Sequence, residues 1–268
     1  MANNNYLMES DEESLRLLLK TDPYVVKKQA IWAGLKPGMR VADLGCGPGI
    51  TTSTLHELCQ PNDNTVGIDF SEPRWQYAQK KYQEKGLEFY CRDIRDPLED
   101  LGLFDFIWIR FVLEYYRTNS FDIVKNIIKI LKPGGTLCLI DLDHNCLNHY
   151  GIPDRLERTV GEIMSELQIK ANFDPYVGRK LYSYFFDLNF KDIVVDVSAH
   201  HNIYGPLKDS DEFNWARKVK IAPQKIGFNF REYKCGYEEF IKEFKKSFAY
   251  PRRFTYTPII LCRGIKPF

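Results

Sequence analysis

The chain has 268 residues, 44% of them hydrophobic and 27% charged, with a formal net charge of +1. This composition is typical of one large globular domain. The net charge lacks the basic excess that many nucleic-acid-binding proteins have. The sequence has no signal-peptide core, no apolar run near the roughly 20 residues of a membrane span, and no zinc spacing among its cysteines. We therefore expect a cytoplasmic protein with reduced thiols and no metal, membrane or nucleic-acid partner.

Helical patterns cover residues 10–20 and 24–32, and a turn at 35–39 follows them. The stretch VADLGCGPG, residues 41–49, then predicts a short strand with a glycine-rich turn. Glycines at alternate positions let the backbone turn sharply and bring its N–H groups close to a ligand. The next helix points its positive N-terminal end at the same place. Together these features predict a nucleotide-type binding site.

Strand and helix patterns alternate from residue 40 to residue 143. The predicted strands are residues 40–44, 65–69, 87–94, 104–111 and 136–143. The last helix of this region ends at LKPGG, residues 131–135. This alternation predicts an α/β fold with a doubly wound, mostly parallel sheet. In such sheets ligands bind beyond the carboxyl ends of the strands.

The alternation ends after residue 143. Residues 144–173 show helical and polar segments without a strand, and 178–190 predicts an amphipathic helix. Strands are expected at 192–199 and 256–264, where Pro258 indicates an edge or a strand start. At least two helices, near 209–220 and 236–248, lie between those strands. The two late strands suggest an antiparallel pair that carries an insertion.

Three acidic residues stand at or near the ends of successive predicted strands. Asp69 is placed to accept hydrogen bonds from ribose hydroxyls, and Asp93 can reach an adenine amino group. Asp43 adjoins the glycine turn, where it would repel a pyrophosphate and suit a ligand with a cationic part. Ile50 replaces the third glycine of the dinucleotide pattern, which weighs against NAD and FAD.

Five motifs in order resemble the class I S-adenosylmethionine-dependent methyltransferases. They are VADLGCGPG, GID at 67–69, RDI at 92–94, FDFIWIRFVLE at 104–114 and LKPGG at 131–135. The resemblance covers roughly residues 35–143 and implies a seven-stranded sheet that ends in an antiparallel hairpin. It implies S-adenosylmethionine as cofactor, S-adenosylhomocysteine as product and, as in most members, no metal.

The resemblance also implies roles for individual residues around the glycine turn. Gly45 and Gly47 would lie along the methionine part of the cofactor, with Asp43 as the acid of the motif. Asp69 would hold the ribose. These four residues are predicted cofactor contacts.

Further predicted cofactor contacts follow the next strands. Phe70 would pack against adenine, and Asp93 with Ile94 would bracket its edge. Arg110 would lie beside the ligand, where the family often has small or polar residues. This arginine could pair with Asp43 or an acidic substrate, or point away.

Less specific likenesses concern the N-terminus and the catalytic base. In a subset of the family a leading helix closes over the cofactor, so Tyr6 and Arg16 could contact its carboxylate end. His144, just past the fifth strand, is the candidate catalytic base, and His200 and His201 could line the same cleft. A base is needed only where the acceptor loses a proton during attack. Glu114 occupies a position where the family often has His or Glu, although a structural role explains it equally well.

The resulting division of the chain has four parts. They are an N-terminal helical segment over the cofactor (1–34), a cofactor-binding core (35–143), an aromatic-rich helical substrate lid (144–177 and 200–250), and core completion (178–199 and 251–268). The predicted function is methyl transfer to O, N or C of a small-molecule acceptor. The alternatives are a methyltransferase acting on a protein and a non-enzymatic S-adenosylmethionine-binding protein. The sequence leaves the oligomeric state open.

Overall fold

A computed structural model describes residues 13–61, 64–82 and 84–268. Tyr6 therefore lies outside the described residues. The strands are β1 (Val41–Leu44), β2 (Thr65–Asp69), β3 (Leu87–Cys91), β4 (Phe104–Arg110), β5 (Leu131–Leu142), β6 (Asn148–Tyr150), β7 (Lys191–Tyr204) and β8 (Phe254–Ile265). The helices are α1 (Glu13–Lys20), α2 (Pro23–Ala33), α3 (Ile50–Cys59), α4 (Glu72–Lys81), α5 (Ser120–Ile127), α6 (Asp154–Lys170), α7 (Leu181–Asp187), α8 (Asp209–Lys225) and α9 (Tyr237–Ala249).

The predicted α/β sheet is confirmed. The strands run in the order β3-β2-β1-β4-β5-β8-β6, with β7 on the other side of β8, and the first five are parallel. Every residue of β1 and β2 is buried, as expected for central strands covered on both faces. One apolar core lies between the sheet and helices α5 and α7, and a second lies against α2 and α3. The sheet is therefore doubly wound.

The C-terminal strands are antiparallel, as predicted, but their bounds and neighbours differ from the predicted ones. Strand β8 pairs with β7 on one side and with β5 and β6 on the other, so Pro258 does not mark an edge strand. Pro258 lies between the stretch of β8 that pairs with β5, beginning at Ile259, and the stretch that pairs with β6, ending at Tyr256. The Pro258 carbonyl accepts a hydrogen bond from the Asp143 amide at 3.0 Å, and a residue without an N–H interrupts the ladder least where the strand changes partner.

Three further expectations were wrong. The segment 144–173 contains β6, which adds a short eighth strand to the predicted seven. The helical region ends at Ile130, just before LKPGG, as predicted, but β5 begins at Leu131 rather than at residue 136 and so contains the motif. Between the paired residues Phe104–Leu131 and Phe106–Thr136, β4 advances by two residues and β5 by five. Gly134 donates to the Lys266 carbonyl at 2.9 Å, so this bulge is held by the C-terminal segment. Strand β7 continues to Tyr204 and thereby includes His200 and His201.

Helices α6, α8 and α9 form a helical cap with a hydrophobic core of its own. Trp215 and Phe240 are 1% and 0% exposed in that core. Helix α1 contacts the cap because Arg16 Nη1 donates to Asn214 Oδ1 of α8 at 2.9 Å. The cap and the N-terminal helix therefore meet over the sheet. Among the described helices, none combines the length and apolar character needed to cross a membrane.

Two glycine-to-alanine substitutions should act in opposite directions. A Cβ at Gly178 would lie 2.8 Å from Ile260 Cγ1 and 2.9 Å from the Leu142 carbonyl oxygen. Gly178→Ala should lower the free energy of unfolding by about 1–3 kcal/mol because the β5 backbone cannot give way. Gly161, inside α6, has nothing within 4 Å of such a Cβ. Gly161→Ala should raise it by about 0.5–1 kcal/mol, as urea unfolding would measure. Equal changes would contradict the close packing at Gly178.

Candidate functional site

The turn between β1 and α3 requires glycine at its closest approach. Gly45 and Gly47 have φ values of 81° and 57°, in the left-handed region. A Cβ at Gly45 would also lie 2.4 Å from Val112 Cγ2. The Gly45 amide donates to the Ile68 carbonyl at 2.7 Å, which holds the turn against the end of β2.

Asp69, at the end of β2, organises the same corner. Its carboxylate accepts hydrogen bonds from the Gly47 amide at 2.8 Å, the Ser71 amide at 2.9 Å and Arg74 Nε at 3.1 Å. The side chain is buried, yet it contributes to the wall of the adjoining cleft. The acid is therefore fixed in position before any ligand binds.

Asp43 lies behind the glycine turn rather than in the cleft. It is 2% exposed, and its carboxylate accepts a hydrogen bond from Thr52 Oγ1 at 2.7 Å. The pKa of Asp43 is raised to about 7, chiefly by burial and in part by the nearby Asp69, while the Thr52 hydrogen bond and the charge of Arg110 oppose the shift. Asp43 therefore links the end of β1 to the start of α3 through Thr52 and does not line the cleft.

The cleft next to the glycine turn, here called the loop cleft, has about 900 Å³ of empty space with its open mouth included. Most of the described predicted contacts line it, namely Arg16, Gly45, Gly47, Asp69, Phe70, Ile94 and Arg110. Asp93 does not line it, because its carboxylate turns to Arg95, which donates through Nε at 2.8 Å. Whether these residues contact a cofactor stays a prediction.

Arg110 is held beside the loop cleft by uncharged partners. Its Nε donates to Gln29 Oε1 at 3.2 Å, and its guanidinium lies 4.2 Å from the centre of the Phe111 ring. Burial lowers the pKa of Arg110 to about 10, with Asp43 and Asp141 opposing the shift. The group therefore keeps its charge at neutral pH.

A second cavity, here called the cap cavity, adjoins the loop cleft and has about 710 Å³ of empty space with its open mouth included. Its walls are mostly apolar side chains from the cap, including Val160, Ile163, Met164, Leu167, Trp215 and Val219. Four residues line both cavities and define the neck between them, namely Arg16, Lys20, Glu114 and Tyr115. The two cavities therefore share a boundary that these four residues form.

The neck holds ionisable groups at low exposure. Glu114 is 3% exposed, and Asn145 Nδ2 donates to its Oε2 at 2.7 Å. Burial raises the pKa of Glu114, and Lys20 and Lys218 oppose that shift. Burial lowers the pKa of Lys20 well below its usual value, and the charges of Arg16 and Lys218 lower it further.

The three histidines considered from the sequence do not line either cavity. The His144 ring packs edge-on against Tyr176 with centroids 5.2 Å apart. His200 and His201 stack on each other at 4.3 Å, and His200 also contacts Phe111. Burial lowers the pKa of both, that of His201 to about 2, so both rings are neutral. A catalytic role for His144 stays a prediction without a contact that supports it.

Sequence reasoning missed three polar residues of the neck and cap cavity. Lys20 ends α1, Asn145 follows β5, and Lys218 lies on α8. None belongs to a motif, and Lys218 reaches the cap cavity only because α8 packs over the sheet. A lysine on the otherwise apolar inner face of α8 was the available signal. Within the described residues, no group of three or more His, Cys, Asp or Glu side chains is arranged to hold a metal ion.

Comparison with known proteins points to one family. Residues 42–139 match a family model described as a methyltransferase domain. Demethylmenaquinone methyltransferase of Lactococcus lactis subsp. lactis (strain IL1403) is 32% identical over 116 residues, which are 42% of this chain and 46% of that protein. The match thus spans about half the length of this curated relative.

Solved structures share the fold across most of the chain. A protein of Bacillus halodurans C-125 whose methyltransferase assignment is provisional aligns with a TM-score of 0.58 and 16% identity, covering 91% of this chain and 99% of that one. Coclaurine N-methyltransferase, crystallised with N-methylheliamine and S-adenosylhomocysteine, aligns with a TM-score of 0.54 and 16% identity, covering 90% and 72%. At these identities the likeness shows the fold alone.

The buried acid at Asp43 predicts a pH dependence of stability. The folded chain binds a proton near pH 7 that the unfolded chain, with an aspartate pKa of about 3.9, has already lost. Stability from this group is therefore complete below pH 4 and is lost as the pH rises to about 7. Relative to Asp43→Asn, the wild-type free energy of unfolding should fall by about 2 kcal/mol between pH 5 and pH 7. Urea unfolding at both pH values measures this, and parallel changes in the two proteins would contradict it.

Proposed function

We propose that this chain, whose core is a methyltransferase domain of the class I S-adenosylmethionine-dependent family, methylates a small-molecule acceptor bound in the cap cavity. The observation that carries the proposal is the neck, where Arg16, Lys20, Glu114 and Tyr115 line both cavities. Methyl transfer needs two ligands that meet end to end, since the acceptor atom attacks in line at about 3 Å. Two adjoining cavities with one shared neck suit that requirement.

The residues of the loop cleft fit S-adenosylmethionine. The fixed Asp69 carboxylate can accept hydrogen bonds from ribose hydroxyls, while Phe70 and Ile94 offer apolar faces for adenine. Arg16, 2% exposed at the neck, suits the carboxylate of an amino-acid tail. When bound, the cofactor supplies a methyl group already activated on a sulfonium. The task of the chain is then to orient the two ligands and exclude water.

The cap cavity supports an acceptor with an apolar body. Its walls are mostly aliphatic and aromatic side chains of the cap. The relative from Lactococcus lactis is named for a quinone methyltransferase, which agrees with such a body. A cavity beneath the cap favours a small molecule over a protein acceptor, because a folded protein would have to insert a side chain there. We accordingly retain the cap as the predicted substrate lid.

Replacing Asp69 by Asn tests the cofactor assignment. S-adenosylhomocysteine should bind the wild type in isothermal titration calorimetry, and Asp69→Asn should weaken it about 10- to 100-fold, the usual effect of losing charge-assisted hydrogen bonds. Asp196→Asn is a matched control because Asp196 is exposed on β7, outside the residues that line the loop cleft. Binding that is absent in the wild type, or equal in both variants, would refute the assignment.

A release assay separates the remaining alternatives. S-adenosylhomocysteine formation is measured over a panel of apolar metabolites and a panel of peptides. Turnover with metabolites alone supports the proposal, and turnover with peptides alone would establish a protein methyltransferase instead. Tight cofactor binding without turnover on either panel would favour the non-enzymatic binding protein.

A further inference from the structure

We propose that the cap cavity takes an acceptor whose apolar body carries one acidic group, bound as an anion by Lys218 of the cap cavity and Lys20 of the neck. This inference rests on the proposed function and specifies the chemical class of its acceptor. The acidic group is a carboxylate or an ionised phenol or enol. It would lie on the side of the cap cavity that faces the loop cleft.

The charges around the cap cavity are unequal. Two lysines line it, Lys20 and Lys218, and among the described residues that line it Glu114 is the one carboxylate. The Oε2 of Glu114 also accepts a hydrogen bond from Asn145 at 2.7 Å. Lysine ammonium groups in an otherwise apolar cavity attract an anion.

Lys218 is the cation that belongs to the cap cavity alone. Its Nζ lies 3.5 Å from Cys146 Sγ and 5.4 Å from the centre of the Trp215 ring, and both residues line the same cavity. A thiol is a weak acceptor, and an aromatic face stabilises a cation without neutralising it. The ammonium group is thus held at the cavity wall with its charge uncompensated by these neighbours.

Lys20 approaches the neck from the opposite side, on α1. Its Nζ lies 4.7 Å from the centre of the Phe111 ring. Burial and the charges of Arg16 and Lys218 lower the pKa of Lys20 well below its usual value, and the charge of Glu114 only partly opposes that shift. An anion between Lys20 and Lys218 would relieve that repulsion, so acceptor binding and protonation of Lys20 would favour each other.

An acceptor bound as an anion also simplifies the transfer step. Its oxygen forms the new bond to the methyl carbon, the carbon–sulfur bond breaks, and the electron pair stays on sulfur to give neutral S-adenosylhomocysteine. No proton has to leave during attack, so no general base is required. This agrees with the position of His144, which packs against Tyr176 away from both cavities.

A matched pair of fluorescent probes tests the inference. The first is 8-anilinonaphthalene-1-sulfonate, an apolar anion, and the second is N-phenyl-1-naphthylamine, the same ring system without the charge. Each is titrated into wild type, Lys218→Gln, Lys218→Arg and Lys220→Gln, with and without saturating S-adenosylhomocysteine. Lys220 is the matched control, because it is exposed on α8 only two residues away.

We expect the anionic probe to bind the wild type about 10-fold more tightly than the neutral one. Lys218→Gln should remove most of that preference, whereas Lys218→Arg and Lys220→Gln should keep it, and the neutral probe should bind all four proteins alike. Equal binding of the two probes to wild type, or a preference that survives Lys218→Gln, would overturn the inference. S-adenosylhomocysteine binding is a separate readout. Its absence would refute the proposed function, while the probe preference alone decides the anion site.

Discussion

The hydrogen bond from the Gly47 amide to the Asp69 carboxylate is the interaction on which the site depends. It joins the turn after β1 to the end of β2, and the same carboxylate also accepts hydrogen bonds from Arg74 Nε and the Ser71 amide. Glycines at alternate positions adopt the positive φ values without strain but leave the turn flexible, so an external anchor helps it to hold one shape. The anchor is itself a cleft residue. Ligand recognition and loop geometry therefore share one acid.

Local sequence was sufficient to predict those elements whose structure depends on residues close together in the chain. Strands β1 and β2 follow from short apolar runs, and Asp69 follows from its position at the second strand end. The failures involve partners distant in sequence. Strand β6 exists because it pairs with β8, more than 100 residues later. The LKPGG motif has the composition of a turn, but the C-terminal segment holds it as a bulge within β5.

The site divides in the same way. Residues of the loop cleft belong to ordered motifs, and the structure brings most of them together. Asp93 shows that a motif does not fix the contacts of each of its residues. Its carboxylate accepts a hydrogen bond from the neighbouring Arg95 and does not face the cleft. The cap cavity has no motif at all. Its polar residues Lys218 and Asn145 come from separate insertions, and only packing of the cap over the sheet makes them neighbours.

The neck explains why these two halves form one site. Cations that are partly removed from water are unfavourable for the folded chain unless an anion lies near, and among the described residues Lys20 and Lys218 face one carboxylate, that of Glu114. On the proposed function, the cofactor would place its carboxylate at Arg16 and its positive sulfonium toward the cap cavity, where the anionic acceptor would lie between that sulfonium and the two lysines. Each ligand would then lower the electrostatic cost that the other meets. Binding in one cavity would thus favour binding in the other through charge alone, with no movement of the cap required.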